Sequence, residues 1–376
     1  MGKVFEQVIC VGISLLFAGL VTKYASFFHI SSPALMIGSF FAAYFTMGRS
    51  LKWIVTYTHM LLKVVLIKMQ RMIITSTSSD CVNFCFTYLQ KTSRSFSAVT
   101  MLLPSDLRFA VTVFYLVLRA LDSIEDDMSI PIATKKQEML AFASQLEKPA
   151  CGSNKGFGNG LKFMNKGANI DEVNLLKHFD EVIKGYQSLR SEYQLIISHA
   201  TLEMAHGMVE FLEKDVETVR DYDRYCFFVA GIVGIGLSQL FTAAKVEKLE
   251  LPNLEYLAVS MGTFLQKTNI IRDYFEDISQ GEPRIFYPKE IWCKYVSNIV
   301  DLQKIENSKK GTLCVNEMIL DALRHIPDVI TYLSALQNSA VFSFCAIPQC
   351  MAIATLKLCF HNPAVLNSLV KIPRKV

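Results

Sequence analysis

The chain has no C-x-x-C pair, no H-E-x-x-H run and no long block of lysines or arginines. Each absence removes a class of function. Without cysteines at that spacing, neither a zinc ribbon nor a dithiol redox motif is indicated. The ten cysteines fall at 10, 81, 85, 151, 226, 293, 314, 345, 350 and 359, mostly inside apolar runs. They read as buried, reduced thiols of a domain facing a reducing compartment. The seven histidines are dispersed; His199 and His206 share a helical face at i, i+7 but lack zinc-hydrolase spacing and are read as structural. Charged residues make up 19% of the chain, below the usual share of about 25%, and the net charge is only +4. No nucleic-acid partner is therefore expected. Strand-type alternation around Asn-Gly or Asp-Gly turns is also missing, which argues against hairpins and sheets.

What the chain does have is hydrophobic bulk, 51% of 376 residues, enough for a sizeable core in one large domain or two. The first fifty residues stand apart. An uncharged run at 7–22 and a second at 24–48, with only His29 as a possible charge, are separated by Lys23. Lys3 precedes the pair, and Arg49 and Lys52 follow it. A bilayer takes about 20 apolar residues, so the second run is long enough and the first slightly short. A two-span hairpin, a single span and a cleaved signal peptide all fit; the expectation is membrane attachment through residues 1–50, with the flanking charges on the cytoplasmic side.

From 51 to 376 the chain reads as successive helices. "LRFAVTVFYLVLRALDSIEDD", "SEYQLIISHATLEMAHGMVEFLEK", "DRYCFFVAGIVGIGLSQLFTAAK" and "LEYLAVSMGTFLQKTNIIRDYFEDI" are long, apolar and free of proline. Helices this apolar are buried on most sides and must pack round a common interior. The expected fold class is all-α. One stretch, 151–169, carries five glycines without helical periodicity and reads as a loop, a tolerated insertion more readily than a flap.

Two acidic clusters carry the chemistry. In "LVLRALDSIEDD" (116–127), Asp122, Glu125 and Asp126 fall at i, i+3 and i+4, on one helical face, while Asp127 is turned from it. In "KTNIIRDYFEDI" (267–278), Asp273, Glu276 and Asp277 repeat the spacing, again at the end of an apolar helix. An arginine precedes each, Arg119 and Arg272. Crowded carboxylates repel and call for positive charge. Oxygen ligands in this density suit magnesium, which shares its octahedron among a few carboxylates, waters and substrate phosphates. Two such faces across a cavity would hold a diphosphate through magnesium, stabilise it as a leaving group and leave a carbocation behind. The apolar helices would keep water from that cation.

These motifs resemble the squalene synthase family of head-to-head prenyl transferases. The first matches that family's D-x-x-E-D as "DSIED" and the second its "NIIRDYxED"; "TSRSF" (92–96), "YCFFVAGIVGIGLSQLF" (225–241) and "FCAIPQ" (344–349) match in family order. The resemblance runs from about residue 51 to 371. It implies an all-α isoprenoid synthase fold with a central apolar cavity. It also implies condensation of two farnesyl diphosphates to presqualene diphosphate, then rearrangement and NADPH reduction to squalene, with Mg2+ as cofactor. On the family pattern Asp122, Glu125, Asp126, Asp273 and Asp277 carry metal and diphosphate, and Arg94, Arg119 and Arg272 contact phosphates. Tyr225 matches the tyrosine of proton removal in the first half-reaction. A phenol needs deprotonation or a neighbouring diphosphate to act as base, given its ordinary pKa of about 10. Phe344 matches the aromatic of the second half-reaction, where a ring face stabilises a cation; Phe342 reads as core. "GIVGIG" (231–236) is no dinucleotide fingerprint, because its glycines lie inside an apolar helix. Gly231 and Gly234 either open room for a prenyl chain or let another helix approach. For NADPH the resemblance points instead to Ser93, Arg94, Asn269 and Lys371.

The family continues past the equivalent of residue 371 into another helix and a C-terminal anchor, whereas this sequence stops at "VKIPRKV", with Pro373 where the family has a basic residue. The expectation is a catalytic domain over 51–376 lacking that last helix, with the N-terminal runs replacing the anchor. A monomer at the endoplasmic reticulum membrane, its catalytic domain in the cytosol and in contact with membrane lipid, completes the reading. A related enzyme stopping at presqualene diphosphate or a non-reduced product, and a catalytically silent homologue, are the alternatives.

Overall fold

Every regular element among the described residues is helical, as the missing strand alternation implies. The computed structural model describes residues 79–127, 129–147, 170–279 and 286–372. The N-terminal apolar runs, the expected boundary at 51, the glycine-rich stretch 151–169 and the chain from Pro373 onward lie outside them.

The helices in chain order are α1 (Asp80–Thr92), α2 (Arg94–Thr100), α3 (Ser105–Asp126), α4 (Ile132–Glu147), α5 (Ile170–Lys177), α6 (Phe179–Ser188), α7 (Ser191–Phe211), α8 (Val219–Cys226), α9 (Ile232–Ala243), α10 (Leu254–Ile278), α11 (Lys289–Trp292), α12 (Ser308–Leu323), α13 (Ile326–Ala335) and α14 (Ser339–Cys359). Short 3-10 turns at Ile299–Gln303 and Ile305–Asn307 precede α12, and one at Pro363–Leu366 follows α14.

Helix α3 forms because a run of alanine, leucine and valine follows Pro104, which cannot extend a helix backwards. Its residues Leu107, Val113, Leu116, Val117 and Leu121 are buried on several sides, so the helix runs through the interior. It stops where Asp127 turns inward: the carboxylate accepts from the Ser129 amide at 2.9 Å and hydroxyl at 2.6 Å, an Asx-type turn. Asp127 is therefore a buried structural residue, in keeping with its spacing.

The second organising element is α10. It packs against α9 and the turn before it, and against α12, α13 and α14. The approach to α9 is backbone to backbone. A Cβ on Gly234 would overlap the Ala258 carbonyl, and one on Gly262 the carbonyl of Ala230. Of the two uses open to Gly234, the structure selects helix approach. Between α8 and α9 the chain takes a π-turn, Phe227–Gly231. Such one-residue excesses recur at functional sites.

Helix α14 begins on a buried acid: Glu247 accepts the backbone N–H groups of Gln337 at 2.9 Å and Asn338 at 2.6 Å. Negative charge at a helix N-terminus is favourable, because the first amides have no intrahelical acceptor. Pro348 inside α14 removes the hydrogen bond to the Phe344 carbonyl, and Gln349 next to it donates to Met261 O of α10 at 3.0 Å. Two described stretches, Val219–Ala243 and Ser339–Cys359, are long and apolar enough to cross a membrane. Both pack against α10.

Candidate active site

The acidic end of α3 has its positive charge. Arg119 Nη1 lies 3.8 Å from Asp122 and 3.9 Å from Glu172, and Nε donates to the Tyr115 hydroxyl at 3.3 Å. Lys135, only 3% exposed, donates to the backbone carbonyl of Glu125 at 2.5 Å. A cation there complements the negative end of the helix. The three carboxylates of the spacing argument divide: Glu125 is buried, Asp122 keeps 30% of its side chain exposed and Asp126 is exposed.

On α10, Arg272 forks over its neighbour Asp273, with Nε to Oδ1 at 2.7 Å and Nη2 to Oδ2 at 2.5 Å. Asp277 stands one turn on, and the charge of Asp126 acts on it directly. The acidic ends of α3 and α10 are thus close enough for their charges to act on one another. Burial pushes Asp122 up to about 8; Arg119 pulls against that, while Asp126, Glu125 and Glu172 add to it. Burial likewise pushes Asp277 up to about 7, aided by Asp273 and Asp126. Burial opposes the charge of Arg119, but Asp122, Tyr115 and Glu172 together raise its pKa. Arg272 is raised chiefly by its hydrogen bond to Asp273.

Carboxylates pushed toward protonation by burial and by one another form a site that gains from a cation. The donors are all oxygens, which suits a hard ion such as magnesium. Among the described residues no three acidic, histidine or cysteine side chains converge closely enough to hold a metal alone. An ion placed here would share its coordination with water and substrate oxygens, the habit of magnesium.

Below Asp122 and Arg119 lies a cavity of about 150 Å³. Phe96, Tyr115 and Leu118 line it under the acidic end, and Phe114, Met204, Val233 and Leu237 line it further along. The apolar wall fits a hydrocarbon chain whose polar head rests among the carboxylates. Tyr225 is 5% exposed; its ring stacks on Phe286 at 3.9 Å and meets Phe211 edge-on at 5.4 Å. Phe344 is 3% exposed and touches Phe96 at 5.6 Å and Phe241 at 6.0 Å. Phe96 in turn stacks on Tyr115 at 5.0 Å, and the Arg119 guanidinium lies 5.7 Å from the Tyr115 centroid. An aromatic series thus runs from buried Phe344 to the arginine beside Asp122.

Of the residues expected at a cofactor, Ser93 uses its hydroxyl to cap α2, accepting from the Phe96 amide at 3.4 Å. Arg94, Asn269 and Lys371 are exposed. Sequence reasoning missed Glu172, Lys135, Phe96 and Tyr115 as site residues. Phe96 belongs to the "TSRSF" motif, and Glu172 lies in an acidic first turn after the glycine-rich stretch; Lys135 left no local signal.

Residues 89–375 match the family model for squalene/phytoene synthase. The squalene synthase of Rattus norvegicus is 46% identical over 294 residues, covering 78% of this chain and 67% of the relative. Squalene synthase 1 of Arabidopsis thaliana is 46% identical over 292 residues, covering 77% and 68%. The solved structure of a TcSQS–ligand complex superposes with a TM-score of 0.71 at 42% identity, covering 79% of this chain and 84% of that one. With acidic, arginine-bearing ends on α3 and α10, the first of them over an apolar cavity, and with family and structural matches over most of its length, this chain belongs to the squalene/phytoene synthase family.

Proposed function

We propose that the protein is a squalene synthase: it condenses two farnesyl diphosphates to presqualene diphosphate and reduces that product, with NADPH, to squalene. The observation that carries the reading is the acidic, arginine-bearing end of α3 over a cavity with aromatic and aliphatic walls, its Asp126 coupled by charge to Asp277 in the matching cluster of α10. Membership of a family that includes squalene synthases at 46% identity supports it.

Asp122, Asp126, Asp273 and Asp277, with Glu125 behind them, would hold Mg2+, which supplies charge neutralisation of the departing diphosphate. Arg119 and Arg272 contact phosphate oxygens, and Arg94 adds an exposed guanidinium. The cavity wall excludes water from the cation left behind, and Tyr115 and Phe96 offer it ring faces. Tyr225, buried against Phe286, passes its substrate's proton toward the released diphosphate. Phe344 supports the second step from behind Phe96. Arg94 and Lys371 would supply positive charge for the phosphates of NADPH, whose chemistry is hydride donation, and Ser93 and Asn269 would complete that site. Attachment through residues 1–50 places the monomer at the endoplasmic reticulum membrane, with its catalytic domain in the cytosol beside the lipid that receives the product.

Incubation of the full chain with farnesyl diphosphate and magnesium, with and without NADPH, tests this by product mass. Squalene only with NADPH is expected. Presqualene diphosphate under both conditions would assign an enzyme that stops at the first step, and no turnover by folded protein would reject both.

A further inference from the structure

Lys267 is fully buried and belongs to neither acidic cluster. Its ammonium donates to Asp223 of α8 at 2.6 Å and to Asp321 of α12, and stands 4.8 Å from the Tyr222 ring centroid. Arg324, at the end of α12, closes the group by pairing with Asp223 and, at 3.0 Å, with Asp321. His325 beside it does not add a charge near neutral pH: burial, Lys267 and Arg324 push its imidazole down to about 4. Two cations thus face two carboxylates across three helices.

Burying an ammonium costs several kcal/mol, and apolar side chains of equal volume often hold helices together as well or better. What an ion cluster adds is direction. Asp223 precedes Tyr225 by two residues, and the π-turn begins two residues after Tyr225. At the π-turn the ladder shifts to an i→i−5 bond, from Ile232 N–H to Phe227 O, so the rotation of α8 differs from the one a regular helix through α9 would give it. On the other strand of the clasp, Lys267 lies six residues before Asp273, about 9 Å along the same helix. We infer that Lys267 is a positioning residue: the Asp223–Lys267–Asp321 clasp sets the rotation of α8 and holds Tyr225 in register with the acidic cluster of α10. This rests on the role proposed above for Tyr225.

The two aspartates make the test specific. Asp223→Asn releases α8 and leaves α10 joined to α12, whereas Asp321→Asn leaves α8 joined to α10. Presqualene diphosphate formation is measured with farnesyl diphosphate and magnesium alone, alongside melting temperature. For Asp223→Asn, kcat should fall about tenfold or more with KM changed less than about twofold, and for Asp321→Asn kcat should fall less than about threefold. Added to Tyr225→Phe, Asp223→Asn should cost almost nothing further, because both act on one group. Equal losses in the two aspartate variants, additive losses with Tyr225→Phe, or a wild-type kcat in folded Asp223→Asn would overturn the inference. Should Asp223→Asn fail to fold, Asp223→Glu keeps the charge, alters its reach and carries the same comparison. If the wild type has no activity on farnesyl diphosphate, the proposed function fails separately. The clasp is then read by amide exchange, with faster exchange in α8 for Asp223→Asn than for Asp321→Asn supporting it and equal exchange refuting it.

Discussion

The ring of Phe96 meets that of Phe344 edge to face at 5.6 Å, and Phe96 lines the cavity wall in front of it. Of the two rings, Phe96 adjoins the cavity and Phe344 supports it from behind. A cation–π contact is worth about 0.5–2 kcal/mol, or about two- to thirtyfold in rate. Phe96→Leu should lower squalene formation across that range, and Phe344→Leu should lower it less. Product-resolved kinetics with NADPH check the order.

Asp122→Asn removes a carboxylate that burial already pushes toward protonation. The variant should fold at least as stably as wild type without magnesium, while turnover drops by about a hundredfold or more. Magnesium should raise the melting temperature of wild type, as any ligand selective for the native state does, and raise that of the variant much less. Melting curves with and without the ion, beside steady-state rates, read both effects.

Glu247→Ala leaves two amides at the start of α14 without their acceptor. Hydrogen bonds to a buried charged group are worth about 1.5–3 kcal/mol each, so a loss of roughly 3 kcal/mol is expected in denaturant unfolding. Turnover at low temperature, where the variant remains folded, should fall much less than in Asp122→Asn.

Asp221 closes the capping box at the start of α8 and pairs with Lys214 at 2.7 Å. Hydrogen bonds from Lys214 and Thr218 hold its carboxylate down at about 2, from 3.8. A group whose folded value is depressed contributes stability above its unfolded value and loses it as pH falls through the folded one. The α8 cap should therefore weaken between about pH 4 and pH 2. Asp221→Asn should show a smaller fall in melting temperature than wild type over that interval.

Gly262→Ala would force a methyl group into the Ala230 carbonyl. Backbone on both sides leaves little room to yield, so a loss of about 2 kcal/mol or more is expected. Thermal or denaturant unfolding of the variant beside wild type reads the loss.

The helical class was legible because hydrophobic periodicity and proline spacing are local properties of α3, α7 and α10. The two acidic clusters were legible for a similar reason, since i, i+3 and i+4 spacing survives any packing. Glu172 and Lys135 were not, because each reaches the site from another helix and its neighbours in sequence say nothing of that. Gly262 was overlooked beside the more conspicuous "GIVGIG", although it makes the same kind of helix contact.

The order of residues alone determined that carboxylates and arginines end two apolar helices and that the chain belongs with head-to-head prenyl synthases. Tertiary structure decided which of those carboxylates is buried, that Phe96 fronts Phe344, and that a buried lysine joins α8 to α10 and α12. The division follows from distance along the chain. Spacing within a turn is set by helix geometry, whereas Lys267 lies 44 residues from Asp223 and 54 from Asp321, and only packing brings them together.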